Sequence, residues 1–274
     1  MTALSVQSMV PAATFDPTVV GGGALGLAGR SRRSVSADGS LTLTAATPSG
    51  DPALWSRFVD GAWASYLRHG VSVALDLDEV ASGATTAVFF VVLDEAGVML
   101  GGVRAQGPYV MIEQSHVLTE WEHSPGLPVV AERLRSRMPH GIVEMKSAWV
   151  GDGAPGRAVS ATLARTALPT MALTGSRYLF ASAADHVLRQ WETSGGVIDT
   201  AVPAAAYPSD RYRTRMMWWD RRTIDADAHP QVWEEMVRDA RMLSGAPTGA
   251  GSALRVADPA QRVTAVPAGA AAAR

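Results

Sequence analysis

Two charged side chains, Glu144 and Lys146, interrupt the otherwise largely apolar segment 142–150. A β-strand turns alternate residues to opposite faces, so Glu144 and Lys146 are expected on one face with Ala148. The other face then receives Val143, Met145, Ser147 and Trp149. The ammonium would lower the pKa of Glu144, whereas apolar surroundings would raise it towards a value useful for proton transfer. The alternative is an exposed ion pair. Lys146 is also the only lysine in the chain.

A glycine-rich turn follows this segment, with Gly151, Gly153, Gly156 and the small Ala158. Where a strand ends and a helix begins, free backbone N–H groups and the positive end of the helix dipole can hold a pyrophosphate. Small residues let the phosphate approach the backbone. The spacing is therefore that of a phosphate-binding turn, and the alternative is a flexible connection without a ligand.

The segment 207–222 is rich in arginine and aromatic residues. Read as a strand over 211–220, it places Arg211, Arg213 and Arg215 on one face. Tyr212, Thr214, Met216 and Trp218 fall on the other. Three guanidinium groups so arranged suit a carboxylate or a phosphate. The alternative is a strand with one solvated basic face and one core face.

The connection 106–125 is long for a loop within a domain, and loops of this length tend to be functional. It contains the polar run Glu120-Trp121-Glu122-His123. We interpret this run either as a lid over a bound acceptor or as a surface loop.

The composition excludes several classes of function. With 24 basic and 26 acidic residues, the net charge of −2 gives no basic field, so neither nucleic acid nor an anionic membrane is an expected main partner. The absence of cysteine excludes disulfides, zinc–thiolate sites and thiol nucleophiles. The six histidines are dispersed, so no metal is expected. No window is apolar enough to span a membrane, and no export signal is found, so a cytoplasmic location is expected.

Low-complexity ends flank a central domain. Residues 1–40 contain a glycine triplet and a basic cluster, which predicts a flexible arm. Residues 244–274 are rich in Ala, Gly and Pro, which predicts a disordered tail. One domain is therefore expected over 41–243.

Short β-rich runs and amphipathic segments alternate within this domain, as is typical of α/β or α+β proteins. Strands are predicted at 41–45, 87–93, 98–105, 142–150, 177–182, 197–200 and 211–220, with the second and third forming a hairpin. Helices are predicted at 51–67, 127–138, 157–173 with a kink at Pro169, and 184–193.

This order of elements resembles that of GNAT-type acyltransferases over 41–222. The most suggestive segments are the hairpin 89–104, the turn 151–158 and the segment 184–196. Gly-Gly-Val-Arg-Ala-Gln-Gly-Pro at 101–108 and Glu144 are also similar to the acyl-homoserine-lactone synthase and N-acyl amino acid synthase branch. The resemblance implies an α+β fold in αβα layers, with a mixed, mostly antiparallel central sheet flanked by helices.

The resemblance further implies N-acyl transfer from an acyl thioester, carried by CoA or an acyl carrier protein, to the amine of a small, amino-acid-like acceptor. It implies that Glu144 is the general base. Ser147 stands where the related lactone synthases have an arginine, and Gly153 stands where the family has Gln or Arg. The implied cofactor-binding residues are Trp149, Val150, Gly151, Gly153, Gly156, Arg157 and Ala158.

Trp191 occupies the position at which many family members have a tyrosine that protonates the leaving thiolate, and an indole cannot supply that proton. The thiolate leaves unaided, Tyr178 or Tyr212 serves instead, or the protein is catalytically silent and binds an acyl carrier or a protein partner. A homodimer is left open. The candidate substrate-binding residues are Arg104, Lys146, Arg211, Arg213 and Trp191.

Overall fold

The computed structural model of the protein describes Leu27 and residues 31–245. The strands are β1 (Arg32–Val35), β2 (Thr42–Ala46), β3 (Thr86–Leu93), β4 (Met99–Gln106), β5 (Ile142–Val150), β6 (Tyr178–Ala184), β7 (Val197–Ile198) and β8 (Thr214–Asp220). The helices are α1 (Pro52–Arg68), α2 (Leu77–Ser82), α3 (Val117–Glu120), α4 (Leu127–Arg137), α5 (Gly156–Ala164), α6 (Ala167–Thr174), α7 (Asp185–Glu192), α8 (Ile224–Asp227) and α9 (Pro230–Ser244). Short 3-10 turns cover Ser72–Ala74, Ile112–Gln114 and Met138–His140.

The described strands form one sheet in the order β1-β2-β3-β4-β5-β6-β8-β7. Every neighbouring pair is antiparallel except β5 and β6, which are parallel. Helices cover both faces, so the predicted α+β fold with a mixed, mostly antiparallel sheet is confirmed.

The two faces of the sheet carry different helices, because alternate residues of each strand point to opposite sides. Val88, Phe90 and Val92 of β3 pack in a cluster that includes residues of α5, α6 and α9, and this side is called the α5 face below. Phe89 and Val91 pack in a cluster that includes residues of α1. Helices α3 and α4 contribute to a third cluster, on the same side as α1, where Phe180 and Trp218 are buried. This second side is called the α1 face.

The N-terminal prediction is wrong for part of the arm. Arg32–Val35 pairs antiparallel with β2, so the sheet begins inside the segment predicted to be flexible. Buried Asp239 of α9 accepts a hydrogen bond from Ser34 Oγ at 2.6 Å and forms an ion pair with Arg165, whose Nε lies 3.1 Å from Asp239 Oδ2. These contacts connect β1 to the α5 face. Apart from Leu27, the rest of the predicted arm up to residue 30 and the predicted tail from 246 lie outside the described residues.

Two further element predictions need correction. The helix predicted over 157–173 is two helices, α5 and α6, and the break lies at Arg165–Thr166, before Pro169. Pro169 is the third residue of α6, where a helix needs no backbone N–H donor, so the proline fits once a new helix has started upstream. The strand predicted from 211 begins only at Thr214.

Helix α9 was not predicted. It packs on α6 and β1 and buries Met236, Ala240 and Leu243. Among the described residues, no helix combines the length and apolarity needed to cross a bilayer.

Candidate functional site

A cleft passes between β5 and β6, the parallel neighbours at the centre of the sheet. Their register pairs run only from Ile142 with Tyr178 to Glu144 with Phe180, although β5 continues to Val150 and β6 to Ala184. Residues of both diverging ends line the cleft, whose volume is about 810 Å³. Side chains from helices on both faces of the sheet also line it, so the cleft extends through the layer. The residues that line the cleft include Tyr66, Glu120, Lys146, Trp149, Gly156, Arg157, Arg189, Trp191, Tyr207 and Tyr212.

A bulge in β5 shapes the wall of this cleft. Ser147 has φ 53°, and the register between β4 and β5 shifts between Gly102 and Arg104. The predicted alternation is therefore wrong beyond Lys146, because the bulge turns Ser147 and Trp149 to the α1 face, which Glu144 and Lys146 share. There the indole of Trp149 packs against Phe58 and over Gly61 of α1.

Glu144 lies beneath the cleft and is fully buried. Its Oε2 accepts hydrogen bonds from the Tyr109 hydroxyl at 2.5 Å and from Ser115 Oγ at 2.9 Å, and its Oε1 lies 3.3 Å from Lys146 Nζ. Burial alone would raise the pKa of Glu144, but the ammonium of Lys146 and the two hydrogen bonds hold it below the usual value. Glu144 is therefore an ionised, fully engaged carboxylate.

Lys146 joins Glu144 to a second carboxylate, Glu120, at the end of α3. Lys146 Nζ lies 3.4 Å from Glu120 Oε1. Burial would lower the pKa of Lys146, but Glu144 and Glu120 raise it above the usual value, so the ammonium stays charged. Unlike Glu144, both Lys146 and Glu120 line the cleft.

A histidine–tyrosine pair stands beside these charges. His116 Nε2 and the Tyr207 hydroxyl are 3.1 Å apart, and Tyr207 lines the cleft. Burial and the nearby Lys146 lower the pKa of His116, while burial raises the pKa of Tyr207 to about 12. At neutral pH the tyrosine therefore keeps its proton.

The other end of the cleft, on the α5 face, is cationic. Exposed Arg157 of α5 and Arg189 of α7 line it, and neither has an ion pair within the described residues. Helix α5 begins at Gly156 without a side-chain cap, and a Cβ added to Gly156 would meet open space. Gly151, Gly153 and Ala158 do not line the cleft. Gly151 instead donates its N–H to Leu100 O at 2.7 Å.

Several residues predicted to bind substrate are engaged elsewhere. The guanidinium of Arg104 is buried and binds Glu79, with Nη2 to Oε2 at 2.8 Å, and also donates to Ser147 and Thr86. Arg213 and Arg215 both pair with Asp185. Arg104, Arg211 and Arg213 do not line the cleft.

Of the two predicted catalytic tyrosines, only Tyr212 lines the cleft. Tyr178 lies outside the cleft, with the guanidinium groups of Arg137 and Arg177 over its ring. Tyr212 lines the cleft near His186. Trp191 lines it as well and packs edge-on against Trp219. Of the predicted site residues, the cleft brings together Lys146, Trp149, Val150, Gly156, Arg157, Trp191 and Tyr212.

Glu120 lies in the run interpreted as a lid or a surface loop. The residues of this site that were not predicted from the sequence are Tyr66, Tyr109, Ser115, His116, Tyr207 and Arg189. The signal for Glu120 was the length of the connection 106–125. The surface-loop alternative for this run is wrong at its start, because Trp121 is fully buried and its indole N–H donates to Pro203 O at 2.9 Å. Tyr207 opens the segment 207–222 that stood out by its composition, but the prediction there concerned the strand from 211, and Tyr207 lies in the irregular part before it.

The chain is similar to two groups of known proteins. No protein-family model matches it. It is 42% identical over 207 residues to Rv1356c of Mycobacterium tuberculosis and to Mb1391c of Mycobacterium bovis, which covers 75% of this chain and 79% of each relative.

Among solved structures, it is similar to FeeM, an N-acyl amino acid synthase from uncultured soil microbes, with TM-score 0.49, 13% identity and coverage of 74% of this chain and 96% of that chain. It is also similar to the CoA-dependent acyl-homoserine lactone synthase MesI, with TM-score 0.44, 16% identity and coverage of 72% and 93%. The chain belongs to the family of the mycobacterial proteins, and its sheet is mixed and mostly antiparallel, as the order of elements predicted.

Proposed function

We propose that the protein is an N-acyltransferase, which moves an acyl group from a thioester of CoA or of an acyl carrier protein to the amine of a small acceptor. The observation that carries the proposal is the divergence of β5 and β6, which opens a cleft through the sheet. A strand that loses its neighbour directs backbone N–H and C=O groups into the gap, where an extended thioester arm with its own amides can pair with them.

The charges at the two ends of the cleft support an assignment of each substrate to one end. Arg157, Arg189 and the start of α5 at Gly156 offer guanidinium groups and a positive helix end, which favour the phosphates of the thioester carrier. Glu120 and Lys146 line the opposite end, where the acceptor enters in this proposal. The thioester and the amine would then meet inside the sheet.

Acyl transfer requires a deprotonated amine, a positioned thioester carbonyl and a proton for the leaving thiolate. Glu144, expected to be the base, does not line the cleft and has its carboxylate engaged on both oxygens. In the proposal Glu144 acts as a positioning residue, because it holds Lys146, which in turn holds Glu120. Tyr212, which lines the cleft, remains the candidate to protonate the thiolate, whereas Tyr178 does not line it.

Ligand-induced thermal stabilisation tests the carrier end. A ligand present at 100 times its Kd stabilises the folded state by about 2.7 kcal/mol, which for a chain of this size raises Tm by about 5–10 °C. CoA or acyl-CoA is expected to give such a shift with wild type and with the control Arg135→Ala, an exposed arginine on α4 away from the cleft. The double variant Arg157→Ala/Arg189→Ala is expected to lose most of it.

Two outcomes count against the proposal. Absence of a shift with CoA, acyl-CoA and acyl carrier protein at millimolar concentration would contradict binding of an acyl thioester. A shift without amide formation across a broad panel of amines would favour the catalytically silent binding protein instead.

A further inference from the structure

A buried cluster of charged side chains at the acceptor end of the cleft carries a net negative charge. Glu120 and Glu144 contribute two carboxylates and Lys146 one ammonium, and the three side chains are joined by ion pairs of 3.3–3.4 Å. The Glu120 side chain is only 5% exposed. Its Oε1 binds Lys146, whereas its Oε2 is buried and has no hydrogen-bond partner among the described residues. Buried carboxylate oxygens normally accept a hydrogen bond, so an unpartnered one in a cleft wall indicates a position where a bound ligand supplies the donor.

Two cationic side chains on this face, Lys146 and Arg104, are already engaged in ion pairs. Lys146 is shared between the two carboxylates. Arg104 is bound to Glu79. The two arginines that line the cleft without an ion pair, Arg157 and Arg189, belong to helices of the opposite face. Among the described residues that line this end, Glu120 offers an acceptor for a cation, and the one ammonium, that of Lys146, is already shared between two carboxylates.

We propose that Glu120 Oε2 binds the ammonium of the acceptor and takes its proton, and that the acceptor is a primary amine without a carboxylate beside the amino group. This inference rests on the proposed function. The half-buried rings of Tyr66 and Tyr207 line the same end and favour the organic part of such a cation. A carboxylate on the acceptor would lie near the carboxylates of Glu120 and Glu144 and would be repelled by them, because Lys146 is already shared between the two.

The chemical step balances without a further reactant. The ammonium gives one proton to Glu120, and the free amine attacks the thioester carbonyl carbon. A C–N bond forms, the C–S bond breaks, and the second proton of the nitrogen passes to the thiolate. The products are an amide and a free thiol, and Glu120 returns its proton to solvent.

Matched pairs of acceptors test the acceptor class. Tyramine with tyrosine, histamine with histidine, and tryptamine with tryptophan differ only in the carboxylate beside the amino group. With one acyl-CoA, thiol release and the mass of the amide give kcat/KM for each member. We expect the amine to exceed its amino acid by at least about 100-fold in the pairs that are turned over. Equal or faster acylation of the amino acids would overturn the inference and leave the proposed acyltransferase function intact.

The variant Glu120→Gln tests the residue. The change keeps the shape of the side chain and removes its charge, so kcat/KM for the amine is expected to fall by about 100-fold while the thermal shift with CoA is retained. Glu122→Gln, two residues away and exposed, is the matched control and is expected to behave as wild type. Wild-type kinetics in Glu120→Gln would overturn the role of Glu120. Transfer to neither member of any pair, nor to any amine of the broad panel, would overturn the proposed function itself, and the inference with it.

Discussion

Replacement of Lys146 by methionine removes the cation that pairs with both Glu144 and Glu120. Methionine preserves much of the side-chain volume, so the change is chiefly electrostatic. Glu144 is fully buried and would keep only its hydrogen bonds from Tyr109 and Ser115. Loss of one partner from a buried ion pair costs about 3–5 kcal/mol, which is a large part of the 5–15 kcal/mol of a typical domain.

The pH dependence of stability should change sign at the same time. In wild type the pKa of Glu144 is lowered, so its contribution is present above the usual pKa of 4.5 and is lost as the pH falls through the lower folded value. In Lys146→Met burial dominates and raises the folded pKa of Glu144 above the usual value. The variant therefore gains stability on acidification, by up to about 1.36 kcal/mol for each pH unit while the folded state holds one more proton.

Urea unfolding followed by far-UV circular dichroism at pH 7.5 and pH 5.5 measures both effects. Lys146→Met is expected to be less stable than wild type by about 3–5 kcal/mol at pH 7.5 and to recover up to about 2.7 kcal/mol at pH 5.5. Lys146→Arg keeps the charge and serves as the control. If Lys146→Met does not fold at pH 7.5, the double variant Lys146→Met/Glu144→Gln should restore folding. A loss below about 1 kcal/mol with an unchanged pH slope would show that Lys146 does not stabilise the charge of buried Glu144.

Three further predictions concern the walls of the cleft and the edge of the sheet. Gly61→Ala places a Cβ 2.2 Å from Trp149 Cη2, so a net loss of about 1–2 kcal/mol is expected in urea unfolding despite the better helix propensity of alanine; a more stable variant would contradict the tight indole packing. Gly156→Ala meets open space and should stabilise the fold by about 0.5–1 kcal/mol while it reduces the thermal shift with CoA; an unchanged shift would argue against phosphate contact there. Asp239→Ala removes the buried partner of Ser34 and Arg165, with an expected loss of about 3 kcal/mol, and Asp239→Asn, which keeps the Ser34 bond, should lose less; equal losses would exclude a role for that bond.

Much of the fold was predictable because local patterns and tertiary packing agree. The apolar run of β3, the turn Asp94-Glu95-Ala96-Gly97 and the run of β4 predicted the hairpin that the structure contains. Helix α1, Pro52–Arg68, lies within one residue of the helix predicted over 51–67, and Asp51 is its N-cap. Strand β1 was missed because its arginines and serines have no apolar alternation, and its place depends on pairing with β2 and on Asp239.

The candidate site was harder to predict, because its key features are not local. The bulge at Ser147 reverses the faces of the residues after it, and nothing in the residue types around it indicates a positive φ. The tyrosines and Ser115 that surround Glu144 and Lys146 come from α1 and from loops far apart in sequence. Lys146 itself could be singled out from the sequence, because it is the single lysine of the chain. In the structure two carboxylates, Glu120 and Glu144, pair with it.

A crystal structure with an unreactive thioether analogue of acyl-CoA would show whether a thioester occupies the gap between β5 and β6. We expect the sulfur to lie between β5 and β6 just beyond Glu144 and Phe180, with the phosphates near Gly156 and Arg157 and with Glu120 facing the acceptor side. Binding of the analogue anywhere outside this cleft, with β5 and β6 still parted around empty space, would contradict this expectation.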